Sequence, residues 1–318
     1  MKKSGNCGRA AVRSSRPADR FGLNTFAKRS SASSEQRSAN YAVQMFGILK
    51  KRRRAKLMST PLPPAWRAII DANAPLCARL PAPLRAELEG RVQVFLHEKE
   101  FEGCAGQLIS DEVRVTVAAL ACLLLLNREN DYYPRMGSIL VYPNAFRVKH
   151  RHVDEHGLET EVDEENLGEA WERGSVILSW EDALIDAREP DDGFNVAIHE
   201  FAHQLDMEDG YPNGTPLLSD KGKYKRWQEV MTREYEALRK TAAALEHVSV
   251  EEWEWEFRPR HEHAEVLDVY GAEDPAEFFA VATEAFFEDA RRLQARHREL
   301  YALLSDYYCL DPAAWVPA

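Results

Sequence analysis

An α+β fold, mainly helical and built as one domain around a small mixed or antiparallel sheet, is what this sequence predicts, and three observations predict it. Apolar residues recur at helical spacing between residues 84 and 126; two short β-branched runs follow, SILVY at 138–142 and SVILSW at 175–180; after Gly193 the helical period returns. With 318 residues and 45% hydrophobic residues, the chain can bury one sizeable core. No repeat on the order of 20–50 residues suggests a solenoid or propeller.

The N-terminal part differs from the rest. Residues 1–57 hold fifteen Lys or Arg against Asp19 and Glu35, a net +13, which leaves −24 for the remainder of a chain of net charge −11. The first 44 residues are rich in Ser, Arg, Asn and Ala without an apolar period, so disorder is expected there, and they lack the apolar segment of a secretory signal. Two readings stay open: an Arg- and Ser-rich transit leader, or a start over-extended ahead of Met45, which opens MFGILKKRRRAK. Residues 1–57 are therefore read as a disordered basic extension and 58–318 as the folded domain. The basic run Lys50 to Lys56 is read as a solvated flank, and the acidic body opposes direct nucleic-acid binding.

Leu84, Leu88, Val92 and Phe95 share a helix face, bounded by Pro81 and Pro83 before it and Gly103 after it. A second helix is expected from Asp111, as N-cap, to Leu126. Its apolar run VAALACLLLL is about half the length needed to span a bilayer, and Arg114 and Arg128 flank it, so no membrane span is expected. The acidic stretch between the two β-branched runs suggests a hairpin or small sheet. Its histidines, His150, His152 and His156, are read as solvated, and nothing fixes the direction of His261 and His263. Later helices are expected through residue 206, near 221–245 with Tyr224, Trp227, Met231 and Leu238 on one side, and from Asp274 onward. Five widely spaced cysteines without a C-x-x-C pair argue against a disulfide framework and for a reducing compartment, hence a cytoplasmic protein.

The chemistry concentrates in AIHEFAHQLDMEDG at 197–210. Side chains four apart on a helix stand about 5–6 Å apart at Cβ, so His199 and His203 can offer two nitrogens to one metal ion. Glu200 lies about 100° further round, beside the open position of such an ion, where a carboxylate can take a proton from water. A chance H-E-x-x-H match is an event on the order of a few per cent in a chain this long. A plain core helix would moreover bury two imidazoles beside Phe201, Ala202 and Leu205 at a cost with no return.

A catalytic metal site needs a third protein ligand. Asp209 is weakened as a candidate because Asp206 stands where its turn would need glycine, and Cys104 in FEGCAG reads as a core thiol. In DPAEFFAVATEAFFED at 274–289, Asp274, Pro275 and Glu277 have the pattern of a capping box, while Glu284, seven residues on, is isolated among Phe, Ala and Val. Residue chemistry alone leaves Glu277 and Glu284 both open.

The order WRAII, VQVFLHEKEFEG, DEVRVTVAALACLLLL, ILVYP, VILSWEDA, GFNVAIHEFAHQLDMEDG and VYGAEDPAEFFAVATEAFF resembles the zinc peptidase family of Mlc titration factor A over about residues 45–310. The resemblance implies a gluzincin-like zinc metallopeptidase domain with one Zn2+ per chain, held by His199, His203 and Glu277, and with Glu200 as catalytic base. It also implies Tyr270 as a donor to the developing oxyanion. The expected reaction is hydrolysis of peptide bonds in a peptide or protein substrate, as aminopeptidase or endopeptidase, with the substrate extended along the strand at 176–180. Asp206 is a candidate to orient a histidine. Members of the family are also associated with sequestering a glucose-responsive transcriptional repressor, so a regulatory binding protein is the alternative expectation. A structural zinc site closed by two histidines and two acids is a third.

Overall fold

The computed structural model describes residues 45, 47–144, 174–245 and 266–315, with the backbone of 150–153 and 159–162. The fold lies in a unit running from Ala55 to Ala318; residues 47–54 are helical and belong to a separate unit, Met1–Arg54. The expected disorder of 1–44 and the side chains of His150, His152, His156, His261 and His263 fall outside the described residues.

Prolines set the early helices. Pro64 and Pro75 occupy the first positions of α1 (Pro64–Asn73) and α2 (Pro75–Ala78), where no backbone N–H is needed, and Pro83 does the same in the first turn of α3 (Ala82–Glu98). The apolar face read from the sequence is the one α3 buries: Leu88, Val92 and Phe95 are fully enclosed. Helix α4 (Asp111–Leu123) is capped by Ser110, whose hydroxyl accepts from the Val113 N–H at 3.3 Å, rather than by Asp111. Ser110 has the extended backbone a cap requires, and Asp111 is already helical, its charge suiting the N-terminus. Being apolar on every side, α4 is a central helix, buried from Val115 to Leu123.

The sheet has the order β1-β2-β5, from β1 (Glu100–Gly103), β2 (Ser138–Tyr142) and β5 (Ser175–Ser179). Both pairings are parallel, with Phe101 opposite Ile139 and Ile139 opposite Val176. Antiparallel pairing also occurs, but in a separate ribbon of β3 (His150–Val153) and β4 (Glu159–Val162) between the two predicted strands. The long connection from Tyr142 to Ser175 acts as a crossover, which is what parallel neighbours require. Strand β5 ends at Ser179, whose side chain caps α5 (Trp180–Arg188), so Trp180 is helical.

Helix α6 (Val196–Asp206) packs against α4, α5, β5 and α8 (Pro275–Glu288). One side is fixed by Phe201, whose ring centroid lies 5.8 Å from Phe95 and 5.1 Å from Tyr133. Helix α8 is almost wholly buried and is enclosed by α7 (Lys223–Leu245), α9 (Ala290–Arg296) and α10 (Arg298–Tyr308). Phe279 meets Trp227 of α7 at 5.8 Å, and Phe286 stacks on Tyr308 of α10 at 5.4 Å. Among the described residues, no helix is long and apolar enough to cross a membrane. The described cysteines Cys77, Cys104, Cys122 and Cys309 are free, and burial pushes the Cys77 thiol up to about 12, which makes it unreactive.

Phe95 joins α3, the 133 turn and α6 without solvent exposure. Phe95→Ala is expected to cost about 3–5 kcal/mol of stability, read as a lower urea midpoint at unchanged slope.

Candidate metal centre

The site is built where α6 meets α8. Asn195 caps α6, its side-chain oxygen accepting from the Ile198 N–H at 3.1 Å, and this sets the face on which His199 and His203 point toward α8. Asp274 caps α8 by accepting from the N–H groups of Ala276 and Glu277 at 2.7 and 3.0 Å. Glu277 thus sits in the first turn of α8 with its backbone fixed, and its carboxylate goes to the histidines. One oxygen lies 3.0 Å from His199 Nε2, the other 3.4 Å from His203 Nε2, and the two Nε2 atoms are 3.1 Å apart.

His199, His203 and Glu277 form the one group of three potential metal ligands found among the described residues, their donor atoms all within 4.8 Å of one another. Glu284 is on the other side of the same imidazole. It bonds His199 Nδ1 and accepts from the Asn195 N–H at 3.3 Å. The two acids that residue chemistry left open are therefore sorted by geometry: Glu277 faces the Nε2 atoms, and Glu284 grips the ring from behind.

Electrostatics follow from this crowding. Burial alone lowers the His199 pKa, but Glu284 and Glu277 outweigh it and raise it to about 10. Burial would raise Glu277, yet His199 and His203 hold it far below the usual carboxylate range. Glu200, half-buried one residue on, is raised by burial against the opposing pull of His203 and His199. Tyr270 is half-buried with its ring 6.1 Å from His199, and its N–H donates to Asp268 at 2.7 Å in a short 3-10 turn.

Two neighbours were not found by sequence reasoning. Glu288 is buried one turn beyond Glu284; it accepts from the Asn195 side-chain amide at 2.9 Å and from the Asp191 N–H at 3.2 Å. The signal was present, since acids four apart on an otherwise apolar helix share a face. The second is Gly214. Asp206, fully buried, accepts from the Gly214 N–H at 2.8 Å, the Gly214 carbonyl accepts from Trp227 at 3.0 Å, and a Cβ at 214 would stand 2.1 Å from the Pro275 carbonyl oxygen. Asp206, considered from sequence as a partner for a histidine, ties the end of α6 to this loop and through it to the start of α8. Asp209 and Cys104 are outside the ligand group; Asp209 accepts from the Tyr211 N–H at 2.9 Å, and the Cys104 N–H continues the sheet by donating to Val141.

Comparison with known proteins gives the family of the chain. The glucose-regulated metallo-peptidase M90 family matches residues 48–309. The chain belongs to this family. An uncharacterized protein of Synechocystis sp. is 42% identical over 261 residues, covering 82% of this chain and 89% of its own. Mlc titration factor A of Yersinia pestis is 28% identical over 243 residues, 76% of this chain and 83% of its own, and the Yersinia pseudotuberculosis protein of that name matches equally. The M90 match spans every element from α1 to α10, and with them the His199, His203 and Glu277 group.

Gly214 has φ +72°, a left-handed conformation, besides its contact with Pro275. Gly214→Ala is expected to lower stability by about 2–4 kcal/mol in urea unfolding, from overpacking and backbone strain together. In chelator-treated protein, His199 gains a proton partner on folding, so its contribution is complete below pH 6.5 and lost as pH rises through about 10. The melting temperature of that form should fall across this window, and His199→Gln should flatten the fall.

Proposed function

We propose that the chain is a zinc-dependent peptidase in which His199, His203 and Glu277 hold one Zn2+ and Glu200 is the general base. The observation that carries this reading is the spacing of the three donor atoms, 3.0, 3.1 and 3.4 Å. Ligands about 2.0–2.1 Å from a tetrahedral ion stand roughly 3.3–3.4 Å apart, so the pocket suits zinc with little movement. Three protein ligands also leave a fourth position open, which separates a catalytic site from a closed structural one.

A zinc ion held there supplies Lewis acidity, acidifying water and polarising the scissile carbonyl. The chain's own groups do the rest. Glu200, raised above an ordinary carboxylate, takes a proton from the attacking water and delivers it to the leaving amine, so that water and amide become acid and amine. Tyr270 donates a hydrogen bond to the oxygen that becomes negative. Glu284 holds the His199 ring by Nδ1, fixing which nitrogen faces the ion. An extended peptide lies along β5, which pairs only with β2 among the described residues and packs against α6.

The name of the Yersinia relative favours a second reading, in which the protein sequesters a transcriptional repressor in the cytoplasm and hydrolysis is secondary. One set of variants separates the two. Glu277→Ala should lose the metal and hydrolysis of short peptides together, and Glu284→Gln should weaken metal binding by about 10–100-fold. Glu200→Gln should keep the metal while hydrolysis falls by about 10²–10⁴-fold. Metal content and peptide hydrolysis on the same samples read this out; full hydrolysis by Glu200→Gln would sink the proposed mechanism, and repressor binding intact in that variant with no hydrolysis by the parent would favour the binder.

A further inference from the structure

In the N-terminal part of the chain, positive charge is gathered in one helix. From residue 36 to 70 there is no Asp or Glu, and six of the seven residues at 50–56 are Lys or Arg. Residues 47–59 are helical, and the family match starts at residue 48, so all of this helix but its first residue lies inside the matched region. Ile48 and Leu49 stand three and four residues after Met45, and Arg52 stands four and three after them, which puts the four on one face. That face is open: Met45 and Ile48 are 50% and Leu49 is 56% exposed, and Lys51, Arg52 and Arg53 are exposed beside them.

We infer that this helix docks the protein on an anionic lipid bilayer. Met45, Ile48 and Leu49 enter the boundary between headgroups and acyl chains, and Arg52, Arg53 and the neighbouring cations meet the lipid phosphates. The aliphatic residues decide the partner. Nucleic acid would use the cations, and aromatic or polar side chains for its bases, but has no use for three exposed aliphatics. Among its described residues, a second copy of the chain offers acidic charge without a matching apolar patch, because the other exposed large apolar residues there, Leu108, Tyr211, Leu217 and Leu245, stand in separate segments. The cations sit on the docking helix itself, within the Debye length of about 8 Å at physiological salt over which they attract an anionic surface.

The test is flotation of the full chain with vesicles of phosphatidylglycerol and phosphatidylcholine in equal parts, against pure phosphatidylcholine. Binding to the anionic vesicles alone is expected, weakened by salt. Each cation contributes roughly a factor of five, so Arg52→Gln with Arg53→Gln should lower partitioning about 25-fold. Ile48→Asp with Leu49→Asp should also abolish it while all six cations remain, and Ile48→Trp should strengthen it. Failure to float with anionic vesicles overturns the proposal, as does flotation indifferent to Ile48 and Leu49. Tight, salt-sensitive binding of an RNA or DNA oligomer without vesicle binding would assign the helix to nucleic acid, and an Arg52-dependent dimer without vesicle binding would assign it to a second copy.

Discussion

The junction between α6 and α8 depends on carboxylates buried where the sequence is otherwise apolar. Glu284 and Glu288 are 1% and 2% exposed, on a helix whose remaining inner residues are Phe, Ala, Val and Thr. An unpaired acid in such a position is strongly destabilising, so each must be answered by a donor from the facing element. Asn195 answers both, giving its backbone N–H to Glu284 and its side-chain amide to Glu288, and His199 completes the set. One residue therefore caps α6, satisfies two buried acids of α8 and sets the rotation that aims the histidines.

The same cluster explains why the centre suits a divalent cation. Glu200, Glu277 and Glu284 converge on two imidazoles, an excess of negative charge when both rings are neutral. Protonating His199 is one way of balancing it, and its raised pKa reflects that. A cation in contact with both Nε2 atoms and Glu277 balances it in another way, so protons and metal compete for one place in the electrostatic balance.

Much of this was legible in the residues. The H-E-x-x-H helix was, because helical spacing alone brings His199 and His203 to one face, and the N-cap role of Asp274 followed from local chemistry. The choice between Glu277 and Glu284 was not, because both lie on one face of α8 and the answer depends on where α8 crosses α6, which is set by distant packing such as Phe279 on Trp227 and Phe286 on Tyr308. Parallel pairing of β2 with β5 was hidden for a similar reason: periodicity identifies a strand, but its direction relative to a neighbour is fixed by the chain between them. Ser110 shows the smallest scale of the problem, since two adjacent residues both suited to capping differ only in backbone conformation.

Gly214 also divides the chain between the two helices that carry His199, His203 and Glu277. Hydrogen-bonded to the end of α6 and packed on the start of α8, it closes residues 207–213 into a short loop, and the rest of the connection, α7 among it, starts and ends at the same pin. Closing a flexible loop costs an entropy that grows by only about 0.6 kcal/mol for each doubling of its length, and the pin at Gly214 keeps that cost apart from the spacing of the histidines and Glu277. A change in chain length beyond the pin therefore need not alter the distance from His203 to Glu277, whereas a change within 207–213 acts on it directly.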